Sequence, residues 1–145
     1  VHANLKQLFK GFTDFYYPLN HAQIVTTKAF GNQGEALAEA FLKEKGYEIR
    51  AKQYRYKQFE IDLICFDPIA QFLVFVEVKT RTSDSFARPE EAITPSKKRF
   101  LVAAAEAYLY LSEQESIHCR FDVITIVFDQ GKPAIHHYED AFWAN

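Results

Sequence analysis

The sequence predicts an α/β fold, ordered α-β-β-β-α-β-β, in which a mixed central sheet is flanked by helices. Three observations lead there. Phe59 to Phe66 and Phe72 to Thr80 are rich in Phe, Ile, Leu and Val and are separated by a turn at Asp67-Pro68, as two paired strands require. Helical stripes bracket this pair: Ala36, Leu37, Ala40 and Phe41 before it, and Phe100, Leu101, Ala104, Ala107, Tyr108 and Leu111 after it. Two further β-rich runs, Arg120 to Phe128 and Ala134 to Tyr138, are joined by the turn sequence Asp129-Gln130-Gly131-Lys132.

Taken in order, residues 1–27 read as an N-terminal extension and 28–145 as the main domain. Leu5, Leu8, Phe9 and Phe12 have helical spacing, and Phe15-Tyr16-Tyr17-Pro18 breaks that helix. Val comes first and the chain has no Met, which points to an incomplete or altered start. Asn32 suits a helix cap, the helix runs to Lys45, and Gly46 stops it. Glu35 then falls in the first turn, where the helix dipole favours a carboxylate. A strand follows from Tyr47 to Ala51. The short link after Phe66 favours antiparallel pairing with the next strand, which brings Asp62 near Glu77. Residues 82–93 form a loop of Ser, Asp, Arg and Pro at the mouth of that region. Thr94 as cap and Pro95 in the first turn open the second helix, which runs to about Ser112. Lys97, Lys98 and Arg99 occupy its first turn, where the dipole disfavours cations, and so signal an anion nearby.

Composition narrows the function. At 145 residues, 48% hydrophobic and 25% charged, the chain suits one globular domain with a single core. No run approaches the roughly 20 apolar residues that span a bilayer, and no basic-then-apolar leader is present. Cys65 and Cys119 are too few for a disulfide framework; both read as small buried residues of a cytoplasmic, reduced protein. The five histidines lack ligand spacing, and His136 and His137 point to opposite strand faces, which argues against zinc. Gly-rich phosphate loops and nucleophile elbows are absent. A net charge of −2 argues against a dedicated nucleic-acid binder. The distribution is uneven, however. Lys79, Arg81, Arg88, Lys97, Lys98 and Arg99 cluster between residues 79 and 99, whereas the C-terminal part, with Asp122, Glu139 and Asp140 among its acids, is acidic; the basic segment could meet a phosphate backbone.

The chemistry lies in Phe59-Glu60-Ile61-Asp62-Leu63-Ile64 and Val74-Phe75-Val76-Glu77-Val78-Lys79. Alternate strand residues share a face, so Glu77 and Lys79 project together at a spacing of about 6.5–7 Å. With Asp62 on the neighbouring strand, two carboxylates and an ammonium converge among apolar residues. Desolvating them is costly unless something compensates. Carboxylate oxygens suit a hard divalent cation, Mg²⁺ or Mn²⁺, which keeps several waters for a phosphate-bearing substrate. Such a cation activates water for phosphodiester hydrolysis, with Lys79 offsetting the developing charge. By alternation Glu60 shares a face with Asp62. It could be an accessory ligand for a second metal or hydrogen-bond a partner subunit, and it reads equally as a rim carboxylate paired with Arg55 or Lys57.

Asp62 followed by Glu77-Val78-Lys79 resembles the D…(D/E)xK signature of the PD-(D/E)XK nuclease superfamily. More narrowly, the chain resembles the YraN-like uncharacterised protein family, through Gly31-Asn32-Gln33-Gly34-Glu35, Gly46-Tyr47-Glu48-Ile49, Glu60-Ile61-Asp62-Leu63-Ile64, Phe75-Val76-Glu77-Val78-Lys79-Thr80-Arg81 and Arg120-Phe121-Asp122-Val123. These segments span roughly residues 28 to 142. Phe59 departs from the Gly usual in the family before Glu-Ile-Asp. The resemblance implies a restriction-endonuclease-like α-β-β-β-α-β core, with residues 28–145 as a nuclease-like domain. It implies Asp62 and Glu77 as metal ligands, the Val78 carbonyl as a third oxygen, Lys79 as the catalytic lysine and, by similarity to Holliday-junction resolvases, Glu35 completing the site.

Three functions follow as expectations. The favoured one is a Mg²⁺- or Mn²⁺-dependent endonuclease acting on branched, recombining or damaged DNA as a homodimer, with Arg81, Arg88, Lys97, Lys98 and Arg99 on the nucleic acid. A second is a DNA-binding accessory protein on a nuclease scaffold with little turnover. The third is a protein-interaction module using the aromatic arm and the acidic C-terminus.

Overall fold

A computed structural model describes residues 27–82 and 93–144. The N-terminal extension up to residue 26, the loop residues 83–92 with Arg88, and residue 145 lie outside the described residues. The elements are α1 (Thr27–Glu44), β1 (Glu48–Tyr56), β2 (Phe59–Asp67), β3 (Phe72–Thr82), α2 (Pro95–Leu111), β4 (Cys119–Asp129) and β5 (Lys132–Phe142). They build one five-stranded sheet in the order β1-β2-β3-β4-β5. The pairings β1–β2, β2–β3 and β4–β5 are antiparallel, and β3–β4 is parallel. This mixed sheet with one helix on each face is the expected α/β architecture, consistent with a restriction-endonuclease-like core.

The central strand β3 is buried from Leu73 to Val78, as a strand covered on both faces must be. Each face carries its own apolar core, rather than the single core expected. On one face Leu37, Ala38 and Leu42 of α1 meet Leu63, Cys65, Val74, Val76, Ile124 and Ile126. On the other, Leu101, Ala104 and Ala105 of α2 meet Ile61, Ile64, Phe75, Phe121, Val123 and Phe142. The buried stripes are therefore rotated from those read in the sequence: Ala36 is exposed, and so are Phe100 and Leu111.

Helix ends follow local chemistry. Gly46 adopts φ +92, and the Gly46 and Tyr47 amides donate to the Lys43 and Leu42 carbonyls, closing α1 in a Schellman motif that suits glycine. Thr94 caps α2 as expected, its hydroxyl accepting the Lys97 amide at 3.2 Å. Helix α1 begins at Thr27 rather than Asn32, so Glu35 lies two turns inside it and the first-turn dipole argument does not apply.

Gly34 is dictated by space. A Cβ there would overlap the Thr80 hydroxyl, so α1 crosses β3 with no room for a side chain, one residue from Glu35 and from Lys79. Beyond the sheet, no described helix is long and apolar enough to cross a membrane. Cys65 is buried, and burial pushes its thiol up to about 12. Cys119 is exposed at the start of β4, contrary to the buried role expected of it.

Candidate functional site

The site forms where β2 leaves the ladder. Registered β2–β3 pairs run from Asp67↔Phe72 to Leu63↔Val76, and Asp62 and Glu77 are the next residues on the two strands where that register ends. Strict alternation breaks there. Ile61 and Ile64, three residues apart, both enter the α2-side core, while Leu63 and Cys65 enter the other. On the opposite strand Gln53, flanked by the pairs Lys52↔Leu63 and Tyr54↔Ile61, takes φ +47. Instead of a regular ladder bond, Asp62 Oδ2 accepts the Val78 amide at 2.7 Å.

Asp62 and Glu77 are both buried, at 9% and 3% exposure. Burial raises the Asp62 pKa from the usual carboxylate range to about 7, and the charge of Glu77 adds to the rise; the Val78 amide opposes it. The Glu35 charge also raises it, whereas Lys97 lowers it. Glu35, Asp62 and Glu77 thus share one electrostatic site, although Glu35 reaches it from α1 and its Oε2 accepts a hydrogen bond from the Gln53 side-chain Nε2 at 3.0 Å. Glu35 and Gln53 line a groove of about 210 Å³ with Asn32, Glu39, Lys52 and Leu63.

Two ammonium groups meet Glu77. Lys79 Nζ lies 2.9 Å from Oε1, as the same-face spacing predicts, and Lys97 Nζ lies 3.1 Å from Oε2. The second contact is a charge contact without hydrogen-bond geometry, which leaves the buried Oε2 without a hydrogen-bond donor. Lys97 was assigned to nucleic acid from sequence. The anion implied by its misplacement at the start of α2 is Glu77.

The remaining candidates are placed less centrally. Glu60 pairs with Arg55 at 3.1 Å, the rim arrangement. Lys98 lies over the Phe142 ring at 5.5 Å, and Arg99 donates to the Ser96 hydroxyl. Arg81 is partly buried near the end of β3. Among the described residues, no three His, Cys, Asp or Glu side chains are grouped so as to hold a metal ion between them. What is present fits a hard cation held more openly: two electrostatically coupled carboxylates, one with an unsatisfied buried oxygen, and no soft ligand.

A second polar cluster escaped the sequence reading. Asp122, counted there among surface acids, has 0% exposure. Its Oδ1 accepts Arg120 Nε and the Asp140 amide, and its Oδ2 accepts Arg120 at 3.3 Å and meets His137 Nε2 at 2.8 Å. Lys45 Nζ can only donate, so His137 Nδ1 at 2.9 Å accepts and Nε2 carries the proton toward Asp122. Arg120 also reaches Asp67 and the Tyr47 hydroxyl. The Arg120-Phe121-Asp122 spacing was the available signal, since residues two apart share a strand face.

The fold and site thus define an α/β protein with a restriction-endonuclease-like core and an acidic pair at a break in its sheet. Residues 34–126 match the Uncharacterised protein family UPF0102. The chain is 42% identical over 121 residues to a UPF0102 protein of Chlorobium limicola, covering 79% of this chain and 92% of that one. It is 47% identical over 118 residues to one of Chlorobium phaeobacteroides, covering 77% and 92%. With a UPF0102 protein of Bifidobacterium longum it shares 40% identity over 120 residues, covering 81% and 96%. The chain belongs to the UPF0102 family, which is the YraN-like family of the sequence resemblance.

Proposed function

We propose that this protein is a Mg²⁺- or Mn²⁺-dependent endonuclease that hydrolyses phosphodiester bonds of branched or recombining DNA. The observation that carries the reading is the buried pair Asp62 and Glu77, electrostatically coupled, with Lys79 2.9 Å from Glu77. A structural role explains this poorly, because two desolvated acids side by side raise each other's cost. A dication offsets it. Asp62 and Glu77 would hold the ion, with Glu35 behind Asp62 and the Val78 backbone adjoining.

When bound, the cation supplies polarisation of the scissile phosphate and of the attacking water. The Val78 amide fixes the Asp62 carboxylate, so the acid need not reorient during turnover. Lys79 Nζ presents a proton donor beside the reacting phosphate, to orient the water or to offset charge growing on a non-bridging oxygen. Lys98 and Arg99 at the start of α2, with Arg81 on β3, supply positive charge for flanking phosphates, to which Arg88, outside the described residues, adds by its sequence position. A homodimer would set two such sites against two strands.

The test is cleavage of four-way junction, flap, single-stranded and duplex DNA in Mg²⁺ or Mn²⁺. Wild type should cut at least one substrate, and Asp62→Asn and Lys79→Met should not. Nicking that continues at the wild-type rate in both variants would refute the mechanism.

A further inference from the structure

Two ammonium groups already meet Glu77. Asp62 and Glu77 face Lys79 and Lys97, and the two lysines divide the oxygens of Glu77 between them. Their holds differ. Lys79 sits two residues away on the same strand as Glu77. Lys97 comes from another element, stationed by the Thr94 cap, by Pro95 in the first turn and by the buried Ile93 just before it. Its contact to Oε2 lacks hydrogen-bond geometry, so little directional bonding is lost if the ammonium leaves. The Lys97 side chain is 30% exposed, so it can move into water without crossing the core. Position also favours release. A cation in the first turn opposes the helix dipole, which lowers the cost of moving it away.

We infer that Lys97 is a built-in counter-ion of this site. It holds Glu77 Oε2 while no divalent cation is bound and is displaced when one binds, which frees its ammonium for a substrate phosphate. The inference rests on the reading that Asp62 and Glu77 take a hard dication. An ammonium and a dication compete for one buried oxygen and repel each other across it. Surplus positive charge created by the exchange would then be neutralised by the phosphate itself, which links cation loading to substrate binding.

The experiment is Mn²⁺ titration of the full chain without DNA, reading free Mn²⁺ by electron paramagnetic resonance. Lys97→Gln should bind Mn²⁺ roughly tenfold tighter than wild type. Lys97→Arg, which keeps the charge, and Lys98→Gln, which leaves the contact intact, should stay near wild type. In chelator, Lys97→Gln should melt earlier than wild type, and saturating Mn²⁺ should raise its melting temperature by more. General damage to the fold would weaken Mn²⁺ binding, so the expected gain separates competition from a merely structural role. Unchanged or weaker Mn²⁺ affinity in Lys97→Gln, or no Mn²⁺ binding by either protein, would overturn the inference. Tighter Mn²⁺ binding with no cleavage of any DNA would support the counter-ion and refute the nuclease, while cleavage with unchanged affinity would do the reverse.

Discussion

Asp62 and Val78, sixteen residues apart, are joined across β2 and β3 by a 2.7 Å hydrogen bond from the Val78 amide to Asp62 Oδ2. The bond lies just past the last registered pair of that ladder, Leu63↔Val76. A side chain therefore takes up the backbone donor where the strands part. The same carboxylate is one half of the acidic pair, so sheet geometry and site geometry are fixed by one contact.

The raised pKa of Asp62, about 7 and caused first by burial and then by Glu77, has a definite sign for stability. Between the unfolded value near 3.8 and the folded value the native state binds the extra proton, so stability falls as pH rises across that window and levels off above it. Asp62→Asn keeps an oxygen for the Val78 amide but cannot ionise. In chelator it should be more stable than wild type at pH 8, by about 1–3 kcal/mol, with the advantage shrinking toward pH 4. Urea denaturation at several pH values measures this; an Asn variant less stable at pH 8 contradicts it.

Gly34→Ala should destabilise by about 1–3 kcal/mol, because the added methyl meets Thr80 and α1 must lift from β3. Trimming the obstacle in Gly34→Ala/Thr80→Ala should recover part of the loss. Thermal melts of both variants report it, and a single variant as stable as wild type would show that the helix moves freely.

Removing Arg120 leaves Asp122 buried with its principal cation gone. Arg120→Ala should cost about 3–5 kcal/mol, the usual penalty for an orphaned buried charge. Burial of the guanidinium opposes its charge, but the hydrogen bonds and charge of Asp122 outweigh that and hold its pKa above the ordinary arginine value. A double variant, Arg120→Met/Asp122→Asn, should be less damaged than Arg120→Ala. Chemical denaturation of the two variants decides it.

For the proposed nuclease, Lys79→Met should lower the cleavage rate at least about 100-fold, the scale seen on removing a single preorganised donor. Mn²⁺ affinity should not fall, since Lys79 is not an oxygen ligand. Single-turnover cleavage and a Mn²⁺ titration of the same variant test the two halves separately.

Legibility of the fold followed burial. β2 and β3 lie inside the sheet, their apolar runs are nearly continuous, and their bounds were read to within two residues. β1 extends to Tyr56, five residues past the expected end, because Lys52, Gln53 and Arg55 on an edge strand carry no apolar pattern. β5 reaches Phe142 for the same reason. Same-strand chemistry was equally accessible: Glu77 and Lys79 were brought together by period alone. Lys97 on Glu77 was not, since no spacing rule links residues on two different elements, a strand and a helix. Asp122 was misread because an alternating polar position on a strand ordinarily faces water. Only the convergence of Arg120, His137 and the Asp140 amide makes its burial tolerable.

The lone parallel joint of the sheet, β3 to β4, divides the molecule by assembly order. The meander β1-β2-β3 closes through short links, so Asp62 and Glu77 meet through local contacts. Pairing β4 with β3 depends on the crossover that carries α2, whose closure entropy comes due before the Leu73↔Cys119 to Thr82↔Phe128 contacts repay it. The acids should therefore come together before β4 joins the sheet. Substitutions in the β2–β3 hairpin should then slow refolding, whereas those on the Leu101 face of α2 should chiefly speed unfolding.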